Sequence, residues 1–258
     1  MLPELFSIGP LTVHSYGFMI AIGVIVALTL GEHWAKKREI AEDGFVTTMG
    51  VISIVGGFIG AKILFFITIL PDIIKEPSLL FKELMNGFVV YGGLIGGLLT
   101  AYAYARIKKV DFWKLFDLAV PLIAVAQGFG RIGCFLAGCC YGQKTTSACG
   151  VIFHASHFAP NGVSLFPIQL VYSALDFLNF FFLAWLWKSE KLKKGMVGAA
   201  YVITYSVGRF ILEYFRGDLE RGSVGTLSTS QFISIFTVIV GIGLMLILHK
   251  RDKKNVDS

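Results

Sequence analysis

The sequence predicts an all-α, polytopic integral membrane protein with seven transmembrane helices. Hydrophobic residues make up 55% of the 258 residues, 23 of them phenylalanine, and the mean hydropathy is +0.71. Such a composition excludes an ordinary water-soluble domain. Because no stretch alternates apolar and polar residues as a lipid-facing barrel strand does, the backbone polar groups must be satisfied within helices.

Seven apolar stretches have the length of about 20 residues that a helix needs to cross the hydrocarbon layer. The predicted spans lie near residues 11–31, 44–70, 87–106, 114–138, 167–187, 196–215 and 231–249. Small residues four apart, Gly56 with Gly60 and Gly92 with Gly96, predict close helix packing at the functional site described below. No internal repeat or long Pro/Ser-rich linker divides the chain, so we expect one membrane domain over residues 1–258.

The loops between these spans predict the orientation. Segments 32–43, 106–114, 188–195 and 250–258 hold fifteen Lys or Arg, whereas the remaining loops and the N-terminal segment hold five. Cytoplasmic loops carry the excess of positive charge, so the N-terminus is expected outside and the C-terminus in the cytoplasm. Since the formal charge of +6 is sorted by loop, we do not expect a nucleic-acid partner.

Charged residues inside the sixth span indicate a functional site. Arg209 and Glu213 lie one turn apart, and an ionised side chain near the bilayer centre costs roughly 2.5–3.5 kcal/mol. Tyr205 and Arg216 extend the same polar stripe, at helical spacings of i, i+4, i+8 and i+11. One alternative is an intrahelical ion pair that only neutralises itself.

A second intramembrane arginine, Arg131, argues against self-neutralisation. It lies late in the fourth span, and Tyr16 and Tyr91 begin the first and third spans, so all of these residues share the outer half of the bilayer. Two guanidinium groups with one carboxylate leave positive charge for an anionic head group. We therefore predict a phosphate site, with no metal and no cofactor.

Five motifs then show a family resemblance: HSYG at 14–17, YGGLIGG at 91–97, GRIGCFLAGCCYG at 130–142, PIQL at 167–170 and YSVGRFILEYFR at 205–216. In this order they resemble the bacterial prolipoprotein diacylglyceryl transferases. The resemblance implies a transferase of the bacterial cell membrane that moves the diacylglyceryl group of phosphatidylglycerol to the lipobox cysteine of prolipoprotein signal peptides, forming a thioether.

The resemblance also implies roles for individual residues. Arg131 and Arg209 would hold the phosphate, and Glu213 would orient Arg209. Four further residues complete the expected substrate-binding set, namely Tyr16, Tyr205, Cys134 and Gly142. Arg216 is expected near the outer interface, either against a second lipid head group or as an arginine that extends its charge to the membrane surface.

Three positions depart from the family pattern. Tyr91 replaces a histidine, and a phenol of pKa about 10 is a poorer base near neutral pH than an imidazole of about 6.5. Cys134 replaces an asparagine, and Val171-Tyr172 replaces Tyr-Glu. The identity of the general base is therefore open. A lipid-binding paralogue with an altered acceptor is one alternative function for the chain. A small transporter is another, although no inverted repeat is visible.

The four cysteines leave two further alternatives. Their spacing, Cys-x4-Cys-Cys-x8-Cys, does not match a usual zinc or iron–sulfur pattern, so metal binding is not expected. A disulfide from Cys139 or Cys140 to Cys149 would bracket an outward loop, but membrane cysteines also serve as small apolar residues.

Overall fold

The fold was obtained as a computed structural model, which describes residues 3–9, 11–84, 86–154, 156–189, 192–218 and 222–256. Within these residues, seven long helices overlap the predicted spans. They are α1 (Ser15–Lys37), α2 (Phe45–Thr68), α5 (Val90–Ile107), α6 (Phe112–Ala137), α7 (Ile168–Ser189), α8 (Met196–Glu213) and α9 (Thr229–Val256). Two short helices, α3 (Leu70–Lys75) and α4 (Leu79–Lys82), connect α2 to α5. By length and composition α1, α2, α6, α7 and the first 22 residues of α9 can cross a membrane.

Short antiparallel hairpins amend the prediction of an all-helical chain. Strand β1 (Glu4–Ile8) pairs with β2 (Leu11–His14), β3 (Val151–Ile152) with β4 (Ser164–Leu165), and β5 (Ser223–Val224) with β6 (Leu227–Ser228). The first predicted span therefore begins four residues late, at Ser15, because residues 11–14 pair with β1. Gly9 and Gly225 adopt φ values of +59° and +63° in the turns, a conformation that glycine accepts at little cost.

The described residues form two compact units, and residues 31–115 are one of them. Within it, α2 packs against α5 through glycines. A Cβ on Gly60 would collide with the carbonyl oxygen of Gly92, and a Cβ on Gly96 would collide with that of Gly56. The close approach predicted from the small residues is confirmed, because only glycine leaves room for these backbones.

An in-span lysine stabilises the α4–α5 connection of the same unit. The Lys62 ammonium donates to the carbonyl oxygens of Glu83, Asn86 and Gly87 at 2.8, 2.6 and 3.0 Å. It also lies 4.4 Å from the ring centroid of Phe88. Carbonyl dipoles and a ring face thus solvate this cation, which is how a charge is tolerated on an apolar helix.

The other unit comprises residues 1–30 and 116–258. In it α8 packs against both α7 and α9. The carboxylate of Asp117 accepts hydrogen bonds from the backbone N–H groups of Gly195 and Gly198, at 2.6 and 2.8 Å. These donors at the start of α8 have no partner within the helix, so Asp117 caps it from α6.

The segment between α6 and α7 has a small core of its own. Phe153, Ala159 and Leu165 are buried together, and Phe135 and Tyr141 pack against them. The backbone N–H of Gln143 donates to the carbonyl of Phe215 at 3.1 Å, and that of Phe166 donates to Gln143 at 2.9 Å. The chain that leaves α6 is therefore held between the start of α7 and the end of α8.

Candidate functional site

Three arginines surround one tyrosine in the larger unit. The ring of Tyr172, on α7, is only 4% exposed. The guanidinium carbons of Arg131, Arg209 and Arg216 lie 4.5, 5.5 and 6.0 Å from its centroid. The structure thus brings Arg131 of α6 and Arg209 of α8 together. Their guanidinium carbons can be no further apart than the sum of their distances from the Tyr172 ring centroid.

Arg209 is fixed by three partners. Its Nη1 donates to the hydroxyl of Tyr172 at 2.7 Å, and its Nη2 donates to Oγ of Ser230 at 2.9 Å. Nη2 also lies 3.0 Å from the Glu213 carboxylate, one turn further along α8, and the two side chains are only 12% and 7% exposed. Ser228 donates to the other oxygen of Glu213 at 3.2 Å. The ion pair is therefore embedded in a network that also draws on α7 and the start of α9.

Arg131 has a different environment. Tyr205, Cys134, Asp176 and Cys140 lie within electrostatic reach of its guanidinium. Asp176 is 6% exposed, and its Oδ2 has no hydrogen-bond partner among the described residues. We expected one carboxylate beside the two arginines, but Asp176 is a second, so the positive charge there is smaller whenever Asp176 is ionised.

A cavity of about 280 Å³ opens between α7 and α8. Its polar lining comes from Tyr172, Asp176, Tyr205 and Arg209, together with Asn179 and Thr204. The rest of the lining is largely leucine and phenylalanine. A cavity that combines an arginine and other polar groups with leucine and phenylalanine side chains suits an amphiphile that carries an anion.

Arg216 differs from the expectation for an interfacial arginine. It is 5% exposed, and its Nε and Nη2 donate to the two carboxylate oxygens of Asp218 at 2.8 and 2.6 Å. The interpretation as an arginine that extends to the membrane surface is wrong, because this bidentate pair keeps the guanidinium inside. Burial alone would lower the pKa of Arg216, but its hydrogen bonds to Asp218 and the nearby Cys140 hold that pKa above its ordinary value.

Gly142 contributes backbone geometry. It forms a bridge with Arg216, and the N–H of Gly217 donates to the carbonyl of Tyr141 at 3.0 Å. A Cβ on Gly142 would collide with the carbonyl oxygen of Phe166. This glycine is thus required where two chain segments cross, and the crossing places Arg216 beside Tyr172.

Three thiols lie next to the arginines. The Sγ atoms of Cys134, Cys139 and Cys140 are all within 4.8 Å of one another, and Tyr16 of α1 is within electrostatic reach of all three. Hydrogen bonds from Cys134 and Cys139, together with the charge of Arg216, lower the pKa of the Cys140 thiol. The disulfide considered with Cys149 is not formed within the described residues, where Cys149 is exposed.

Tyr91 lies in the first turn of α5, in the unit formed by residues 31–115, and is 53% exposed. The role of Tyr91 as the general base stays a prediction.

Sequence reasoning missed the residue at the centre of the arginines. Tyr172 was treated only as a departure from the family pattern. A signal was available, since Gln169, Tyr172, Ser173 and Asp176 follow one another at i, i+3, i+4 and i+7. All four are at most 6% exposed. A polar stripe of this kind on an apolar helix indicates the face turned towards other protein rather than lipid.

Five helices long and apolar enough to cross a membrane, with Arg131, Arg209 and the buried Arg216 gathered near the ring of Tyr172, define an integral membrane protein. Comparison with known proteins makes the class specific. The family model described as prolipoprotein diacylglyceryl transferase matches residues 3–247. The chain therefore belongs to the prolipoprotein diacylglyceryl transferase family.

Individual relatives agree with the family model. The chain is 50% identical over 243 residues to the phosphatidylglycerol–prolipoprotein diacylglyceryl transferase of Clostridium tetani, covering 94% of this chain and 96% of that protein. It is 45% identical to phosphatidylglycerol–prolipoprotein diacylglyceryl transferase 2 of Clostridium perfringens, over 98% of this chain and 97% of the relative. The corresponding enzyme of Clostridioides difficile is 32% identical over 94% of each chain.

Proposed function

We propose that this protein transfers the diacylglyceryl group of phosphatidylglycerol to the thiol of the lipobox cysteine in prolipoproteins. The names of the relatives and the family assignment support the reaction. The observation that carries the site is the convergence of Arg131 and Arg209 on the ring of Tyr172.

In the proposed mechanism the arginines bind the phosphate of the donor lipid. The acceptor sulfur forms a bond to the glyceryl carbon, and the bond from that carbon to the phosphate oxygen breaks, so the electron pair leaves with glycerol phosphate. Negative charge grows on that oxygen, and fixed guanidinium groups in a water-poor pocket stabilise such charge without reorganising. Arg209 is held in place by Tyr172, Ser230 and Glu213 before the substrate arrives.

The acceptor must react as a thiolate, because a thiol of pKa about 8.5 is a weak nucleophile while protonated. Either Tyr91 removes the proton or the proton leaves by another route. The acyl chains of the lipid would extend along the apolar walls between α7 and α8, and Tyr205 lines the same cavity.

The proposed setting is the bacterial cell membrane, with the seven long helices as spans, the N-terminus outside and the C-terminus in the cytoplasm. The unequal distribution of Lys and Arg among the loops supports this orientation. Arg131 and Arg209 lie near the ends of spans that run outward in this topology, so the reaction is assigned to the outer half of the bilayer.

The test is a thioether-forming assay with phosphatidylglycerol vesicles and a lipobox peptide, read by mass spectrometry. Removing a group that stabilises developing charge costs roughly 10²–10³-fold in rate, so Arg131→Ala and Arg209→Ala should each lose at least a hundredfold. Arg106→Ala, at the exposed end of α5, is the matched control and should keep wild-type turnover.

Two outcomes would contradict the proposal. Full turnover in both arginine variants would remove them from the mechanism. A wild-type chain that binds phosphatidylglycerol but neither forms the thioether nor restores lipoprotein lipidation in cells lacking their own transferase would be a lipid-binding relative.

A further inference from the structure

The end of α6 turns back on itself and brings three cysteines together. Gly138 has φ +76°, and after it the N–H of Cys139 donates to the carbonyl of Cys134 at 3.1 Å. The Cys139 thiol lies 3.7 Å from the same carbonyl. Cys140 then adopts φ +56°, which is uncommon for a residue other than glycine. This turn is what places all three Sγ atoms within 4.8 Å of one another.

Neighbouring elements hold the turn in place. Nε2 of Gln169, a fully buried residue of α7, donates to the carbonyl of Cys139 at 2.9 Å. A Cβ on Gly138 would collide with Ser156, so only glycine fits there, and Oγ of Ser156 donates to the Gly138 carbonyl at 3.3 Å. The three thiols are therefore presented by a braced segment and not by an open loop.

The geometry fits a soft metal ion. Zinc binds thiolate sulfur at about 2.3 Å, so two sulfurs on one tetrahedral zinc are about 3.8 Å apart. Sulfurs already within 4.8 Å of one another need only a small side-chain adjustment to reach that separation. Thiolates also select zinc over the hard cations that prefer oxygen ligands.

The charges around the three thiols also favour a bound metal ion. Three thiolates and one divalent ion carry a net charge of −1. Arg131 lies within electrostatic reach of Cys134 and Cys140, and Arg216 lies beside Cys140. Cations next to a thiolate site offset its negative charge and so reduce the cost of burying it.

We propose that Cys134, Cys139 and Cys140 bind one zinc ion as three thiolates, with a fourth coordination position that accepts an exogenous thiol. Three protein ligands and one open position are the pattern of catalytic zinc sites, whereas structural sites are closed by a fourth ligand. A thiol that coordinates zinc is deprotonated at neutral pH. The identity of that thiol rests on the proposed function, whose acceptor is a cysteine.

The spacing argument in the sequence did not predict this site. A run of Cys-x4-Cys-Cys differs from the usual paired ligand spacing, because the ligands here are gathered by one helix end and the turn that follows it. A bound zinc ion would also favour the thiolate form of the acceptor cysteine near neutral pH, whereas Tyr91 is a poor base for removing that proton.

The probe is Co²⁺, added to the full-length, detergent-purified protein kept under a phosphine reductant after chelator treatment. The wild type should bind one equivalent, with a sulfur-to-cobalt charge-transfer band and the intense visible bands of a tetrahedral site. Cys134→Ser, Cys139→Ser and Cys140→Ser should each lose the stoichiometric band. Cys149→Ser, the exposed cysteine outside the cluster, is the matched control and should keep it.

A second measurement needs no variant. Zinc should slow the alkylation of Cys139 and Cys140 in the wild-type protein at least tenfold, while Cys149 reacts at an unchanged rate, as read by mass spectrometry of the labelled peptides. Failure of the reduced wild type to bind one equivalent, or equal protection of Cys149, would overturn the site.

The open position has its own test. A lipobox peptide should shift the visible bands of the cobalt protein, and the same peptide with serine in place of cysteine should not. An unchanged spectrum with the cysteine peptide would reject the open position. Transfer without metal binding would reject the zinc site and leave the proposed function standing. Metal binding without transfer would support the zinc site and reject the proposed function.

Discussion

Tyr172 is the residue whose removal should disturb the three arginines most. Its hydroxyl accepts a 2.7 Å hydrogen bond from Arg209, and its ring lies against the guanidinium groups of Arg131, Arg209 and Arg216. Tyr172→Phe removes the hydrogen bond and keeps the ring. Tyr172→Leu removes both, so the two variants separate the contributions.

The magnitudes follow from these contacts. A hydrogen bond to a charged group contributes about 1.5–3 kcal/mol. Ser230 and Glu213 still hold Arg209 in the phenylalanine variant, so we expect the lower end, roughly a tenfold fall in kcat/KM. A cation–π contact contributes about 0.5–1 kcal/mol at exposed sites and about 2 kcal/mol or more when desolvated, so loss of the ring in Tyr172→Leu should lower kcat/KM at least another tenfold.

The assay is thioether formation from phosphatidylglycerol and a lipobox peptide, with kcat and KM measured separately. Tyr214→Phe is the matched control, because Tyr214 follows α8 and is 57% exposed. Thermal unfolding in detergent checks that each variant remains folded. If a folded Tyr172→Leu protein kept wild-type kcat/KM, the convergence of the arginines on this ring would have no part in the reaction.

Glu213→Gln should lower kcat/KM about tenfold, because Arg209 loses the buried carboxylate that orients it; a loss of thermal stability at unchanged kcat/KM would mean that the ion pair only neutralises itself. Gly142→Ala should destabilise the protein by about 1–3 kcal/mol, since its Cβ meets the Phe166 carbonyl, whereas Gly130→Ala, with open space at its Cβ, should not lower the thermal midpoint. Tyr91→His should raise turnover near neutral pH if this position is the base, and an identical pH profile would exclude that role.

Local patterns were enough to find the helices and the ion pair. Each of the seven long helices overlaps a predicted span, because the length of an apolar run is a property of consecutive residues. The ion pair of Arg209 and Glu213 was equally accessible, since i and i+4 residues lie on one face of any helix. The glycine pairs of α2 and α5 were also recognisable from local spacing in the sequence.

Contacts between distant segments were not accessible in this way. Arg216 is buried against Asp218 once the chain bends after α8, and the sequence did not predict this pair. Asp176 lies within electrostatic reach of Arg131, 45 positions earlier in the sequence, and no local pattern indicates that proximity. The three thiols became a group only because Gly138 reverses the chain.

The sequence by itself determined that this protein resides in a membrane, where its helices lie, and that two arginines within them require a negative partner. Those conclusions depend on the cost of placing charge in hydrocarbon, which any one segment reveals. Only the tertiary structure decided that three arginines gather around the ring of Tyr172, that Asp176 and Asp218 lie near them with opposite charge, and that three thiols lie alongside. The reason is that side chains far apart in sequence meet only after the helices pack, and packing depends on every surface at once.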